Sequence, residues 1–164
     1  MPELVLNQAV LDARVARARS ATNDGVRYKL GRGGFNPRHV ENVAWDSKEC
    51  DCSAFVSWVL MTKRAPKAGR PFWIETTAVH RDATTSRQVF RQIATPVPGC
   101  ISVFPDRERP HHEGHMGIVT RVHANGSYDV VDCASRGIRE RLDTYLSANH
   151  AIFCVLKQDF VRQP

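Results

Sequence analysis

The sequence is short of most features that would settle a protein's class at once. No apolar run is long enough for a membrane-spanning helix, and there is no internal repeat, low-complexity tract or linker that would divide the chain. The first residues, Met1 to Asn7, hold neither a basic stretch nor an apolar core of the kind a signal peptide needs. The expectation is therefore a protein that stays in the cytoplasm or leaves by a signal-independent route. Cysteine is sparse and odd in number: Cys50, Cys52, Cys100, Cys133 and Cys154 are too few for a disulfide scaffold, and no Cys-x-x-Cys pair is present. Tyr28-Lys29-Leu30-Gly31-Arg32-Gly33-Gly34 is rich in glycine but lacks the Lys-Ser/Thr ending of a phosphate-binding loop. His111-His112-Glu113-Gly114-His115 lies in a loop bearing glycine and proline, not on a helix with ligands one turn apart, so it fails the zinc-protease pattern. No metal or other cofactor is called for. His111 and His112 read as solvated loop residues.

What is present is an ordinary globular composition in 164 residues, 42% hydrophobic and 24% charged, enough for one domain with its own core. A net charge of +6 favours anionic partners such as nucleic acid, anionic lipid or anionic cell-wall polymers. The Arg and Lys residues are scattered, which argues against a specific nucleic-acid surface. Residues 3–20 read as a helix with Leu6, Val10, Ala13, Val15 and Ala16 on its apolar stripe, stopped by Asn23-Asp24-Gly25. A second helix is expected over 52–63, with Phe55, Val56, Val59 and Leu60 inward and Asp51 or Ser53 as cap. Residues 72–91 have helical character but weak amphipathicity, and Pro96-Val97-Pro98-Gly99 marks a boundary. Beyond it, apolar runs at 100–104, 116–122, 128–133 and 151–156 read as strands, with Asn125-Gly126 as a hairpin turn. Helices followed by antiparallel strands make an α+β domain spanning 1–164.

Chemistry concentrates in two segments. Asp51-Cys52-Ser53-Ala54-Phe55-Val56 puts a cysteine at a helix start, where partial positive charge and free N–H groups favour a thiolate. His115-Met116-Gly117-Ile118-Val119 puts a histidine at the start of a buried strand, as a candidate general base. Cys50 is the rival nucleophile, but it precedes the helix and has no dipole to help it. Asp132, on the strand that folds back beside His115, is the candidate that orients the imidazole; simple alternation would instead leave it facing solvent.

These segments resemble the NlpC-like cell-wall cysteine peptidases of the papain-like superfamily. The resemblance rests on Tyr28 with Gly33-Gly34, Asp51 to Val56, Pro98-Gly99-Cys100, His115 to Val119, and Asp132, in that order over about 25–157. It implies a helix carrying the nucleophile, packed on a small antiparallel sheet or partial barrel. It implies hydrolysis of peptidoglycan stem peptides at the γ-D-glutamyl–diamino acid bond by Cys52, His115 and Asp132. Tyr28, Asp51 and Ser53 would contact the substrate or transition state. Three departures stand out: Ala54 for the usual glycine, Cys100 for the usual aspartate, and Asp132 where many relatives carry histidine, asparagine or glutamine. The segment from Lys63 to Ala94 matches no pattern of the family; it is expected to wall the cleft, with Trp73 as a substrate platform or a core residue. Alternatives are an amidase or acyltransferase of the same fold, or an inactive module that binds peptidoglycan or a protein. Toxin, phage lysis protein and recycling enzyme all remain open, and a toxin would have an immunity or inhibitor protein as partner.

Overall fold

The computed structural model describes residues 3–107 and 113–163. His111 and His112 lie outside the described residues. The centre is a six-stranded sheet made of β4 (Phe90–Ile93), β5 (Ile101–Phe104), β6 (His115–Val122), β7 (Tyr128–Ala134), β8 (Gly137–Leu142) and β9 (Ile152–Leu156). Their order is β4-β9-β5-β6-β7-β8, and every neighbouring pair is antiparallel. Among the described residues no helix is long and apolar enough to cross a membrane.

α2 (Cys52–Val59) has every residue buried and packs against β6 and β7. Asp51 caps it by accepting Ala54 N–H at 2.8 Å, and Met61, with φ of 52°, stops it sooner than the expected residue 63. Around it gathers the larger apolar cluster, including Phe55, Trp58, Ile74, Phe90, Met116, Ile118 and Val131. Leu11, Phe104, Val119, Tyr128, Val130, Leu146 and Val155 form a second cluster. The period of two along β7 divides its residues between them: Val131 and Cys133 join the first, Tyr128 and Val130 the second.

The N-terminal segment departs from expectation. β1 (Leu4–Leu6) pairs antiparallel with β10 (Phe160–Arg162), and only then does α1 (Gln8–Ser20) begin, capped by Asn7. Its buried face is Leu11, Arg14, Val15 and Ala18, whereas Val10, Ala13 and Ala16 are exposed. An arginine takes an inward position because Asp159 meets it there, with bonds of 2.5 and 2.7 Å. The weakly helical stretch resolves into α3 (Thr76–Arg81), a π-helical turn (Asp82–Ser86) and strand β4. Before it, buried Arg70 gathers the loop by donating to the carbonyls of Lys63, Arg64, Ala65 and Phe72. The Asn125-Gly126 turn joins β6 and β7 as expected, with Gly126 at φ of +85°. Polar β8 and the short helix α4 (Tyr145–Ala148) have no counterpart in the sequence reading.

Candidate active site

Cys52 is the first residue of α2. The helix starts there because Asp51 is extended, with φ −106° and ψ 176°, and its side chain takes an N–H of the first turn. The other carboxylate oxygen accepts Gly31 N–H at 2.7 Å and meets Arg64 at 3.1 Å. Asp51 is buried with its oxygens turned to the chain itself, so it ties the glycine-rich loop to the helix start. A Cβ on Gly33 would stand 2.9 Å from Cys50 Sγ, so that loop passes tightly over the residues before Cys52. Two short parallel strands, β2 (Arg27–Tyr28) and β3 (Glu49–Cys50), set Tyr28 opposite Cys50.

His115 opens β6 and is buried. It donates Nε2–H to Asp132 Oδ2 at 2.7 Å. Cys52 is close enough to His115 for its charge to act on the imidazole, and with Nε2 engaged, Nδ1 is the nitrogen left for the thiol. Burial works against the imidazolium, yet the bonds to Asp132 and Cys52 and their charges outweigh it and push the His115 pKa up to about 9. Asp132 is 1% exposed, so it turns inward and not to solvent. Room for it comes from Gly117: a Cβ there would stand 3.0 Å from Asp132 Cβ and 2.6 Å from Val130 Cγ2.

Cys50 is fully buried, and burial and then the neighbouring Cys133 hold its thiol well above the usual range. That is the environment of an inert cysteine. Tyr28 is pushed up to about 12 by burial and then by the charges of Cys52, Glu113 and Asp51, so it presents a neutral hydroxyl. Beside His115 opens a cleft of about 350 Å³ lined by Tyr28, Glu113, Ser135, Arg141 and Tyr145 among others. The Tyr145 ring meets His115 edge-on at 5.7 Å.

The remaining expected contacts are distributed less simply. Ser53 is buried, its hydroxyl 3.9 Å from Cys52 Sγ. Trp73 is 56% exposed, so it is not a core residue, and it is not among those lining this cleft. Nor does any residue of 63–94 line it. The segment reaches the site indirectly, where Thr77 Oγ1 accepts Asp106 N–H at 3.1 Å and Asp106 in turn accepts Gly114 N–H next to His115. Two residues absent from the sequence reading belong to the neighbourhood, Tyr145 and Arg141. Arg141 donates to Asp132 Oδ2 at 2.5 Å. No pattern marked it, because Arg139-Glu140-Arg141 is a run of three charged residues without strand alternation. Among the described residues no group of three or more His, Cys, Asp or Glu is placed to hold a metal ion.

A thiol at a helix N-terminus, an imidazole and a buried carboxylate are thus carried by a helix packed on an antiparallel sheet, in an α+β domain. The CHAP domain model matches residues 42–134, more than half of the chain, and the protein belongs to the CHAP domain family. CHAP domains are typically amidase or peptidase domains, and the matched span holds both motifs of the NlpC-like resemblance together with Asp132. Among solved structures, NlpC1 from Trichomonas vaginalis aligns with 93% of this chain at 15% identity and a TM-score of 0.49. This chain spans 45% of that one. A comparison with curated proteins finds no match.

Proposed function

We propose that this protein is a cysteine hydrolase that cuts peptidoglycan stem peptides, at the γ-D-glutamyl–diamino acid bond, with Cys52, His115 and Asp132 as its triad. The observation that carries the chemistry is the 2.7 Å bond from buried His115 to buried Asp132, with Cys52 opening α2 close to the imidazole. The substrate class rests on membership of the CHAP family and on the NlpC-like motifs.

His115 takes the thiol proton, and Cys52 attacks the scissile carbonyl as a thiolate. The tetrahedral oxyanion meets N–H groups of the first turn of α2, which have no partner within the helix, and Tyr28, which lines the same cleft as His115, offers a neutral hydroxyl as a further donor. His115, still held by Asp132, returns the proton to the leaving amine. Water then hydrolyses the thioester, with His115 again as base.

The deciding experiment is mass spectrometry of products from purified peptidoglycan and from a γ-D-Glu–diaminopimelate peptide, with wild type beside Cys52→Ala. Cleavage of that bond by wild type alone supports the proposal. Release of intact stem peptide from the sugar would make the protein an amidase. No cleavage with Cys52 still quickly alkylated would move the same chemistry to another acyl substrate, and no cleavage with an inert Cys52 would make it a binding module.

A further inference from the structure

We propose that Arg141 is a positioning residue of the catalytic array, acting on His115 through Asp132. The inference rests on the triad reading above. His115, Asp132 and Arg141 stand on three neighbouring strands, β6, β7 and β8. Arg141 pairs in register with Val130, so it is the diagonal neighbour of Asp132 on the same face of the sheet. The guanidinium and the imidazole meet the same carboxylate oxygen, at 2.5 and 2.7 Å. On its far side Arg141 faces Asp143 at 3.6 Å, and Asp143 is itself held by Leu146 and Ser147 N–H at 3.0 and 2.9 Å. A rigid carboxylate at the start of α4 thus anchors the guanidinium, and the guanidinium anchors Asp132.

The physical need is plain. Asp132 is 1% exposed, and a carboxylate that deep needs paired partners. His115 supplies a full countercharge only while protonated, and it gives its proton up during the reaction. Arg141 keeps its charge throughout. It therefore holds the carboxylate in place when the imidazole is neutral, and fixes the ring orientation that leaves Nδ1 for Cys52. Arg141 also borders the cleft, with a third of its side chain exposed, so a role limited to substrate contact is the competing account.

The test measures alkylation of Cys52 by iodoacetamide at pH 6, with the modified residue identified by mass spectrometry and no substrate present. Arg141→Gln is expected to slow it about tenfold, and Arg141→Lys to stay within about threefold of wild type. In an Asp132→Asn background, Arg141→Gln should change the rate less than twofold, because the residue it acts through is gone. Equal slowing in both backgrounds would overturn the proposal. So would an Arg141→Gln protein alkylated at the wild-type rate, the result expected if Arg141 only contacts substrate. Thermal midpoints accompany each variant, and Arg141→Lys, which keeps the charge, separates loss of function from loss of fold. Because alkylation needs no substrate, failure to cleave peptidoglycan leaves this result standing. An Asp132→Asn protein that alkylates at the wild-type rate would instead sink the triad reading, and the role of Arg141 with it.

Discussion

At the scale of single residues, His115 carries the pH behaviour. Its neighbours are Asp132 with Arg141 behind it, Cys52, and the rim residues Glu113, Tyr28 and Tyr145. The folded pKa near 9 lies above the ordinary 6.5 of histidine. A group raised in this way stabilises the fold fully below the unfolded value and loses that contribution as pH climbs through the folded one. Unfolding free energy measured between pH 6 and pH 10 should therefore decline toward the alkaline side. Asp132→Asn should flatten the decline and lower kcat by about 10² to 10⁴, since the ring loses the group that sets its tautomer. Cys52→Ala should abolish turnover with an unchanged thermal midpoint. Cys50→Ala should retain activity; its loss there, with Cys52→Ala active, would reverse the choice of nucleophile.

At the scale of elements, two joints hold the site. One is the start of α2, where Asp51 binds the helix and the glycine-rich loop together. Asp51→Ala removes a helix cap and leaves Arg64 without its carboxylate, and should lower stability by about 1–3 kcal/mol in chemical denaturation. The other is the contact of β6 and β7 at Gly117. Gly117→Ala drives a methyl against Val130 and Asp132, so it should cost about 1–3 kcal/mol and cut kcat more than it changes KM. A Gly117→Ala protein with wild-type kcat would show that Asp132 tolerates displacement, against the triad role proposed for it.

At the scale of the whole molecule, the chain ends are brought together. β1 pairs with β10, and Arg14 on α1 binds Asp159 where both are buried. Asp159 also accepts Leu156 N–H at 2.8 Å, so one carboxylate joins the first helix to the end of β9. Breaking such a pair from one side leaves a charge buried alone. Arg14→Met should destabilise the protein by about 3–5 kcal/mol, while Arg14→Met with Asp159→Asn should recover much of the loss. Equal thermal midpoints for the single and double variants would mean that the buried charge is not what makes the single change costly.

Which of these features could be read from the residues alone depended on the range of the forces behind them. The start of α2 is written locally, because the cap and the N–H it binds are three residues apart. The Asn125-Gly126 turn is equally local, and so are the apolar runs of β5, β6, β7 and β9. These, with the helix-start cysteine and strand-start histidine, determined the α+β class and the choice of Cys52 and His115. Tertiary structure decided the rest. Leu4-Val5-Leu6 became a strand because a partner 154 or more positions away completes its ladder, and Arg14 turned inward because its carboxylate lies 145 residues on. β4 and β8 sit at the two edges of the sheet, where one-sided burial tolerates the polar residues that hid them from the pattern. Asp132 could face either way by alternation. Its inward turn, and the place of Arg141 behind it, follow from the register of three strands and from the space Gly117 leaves between them.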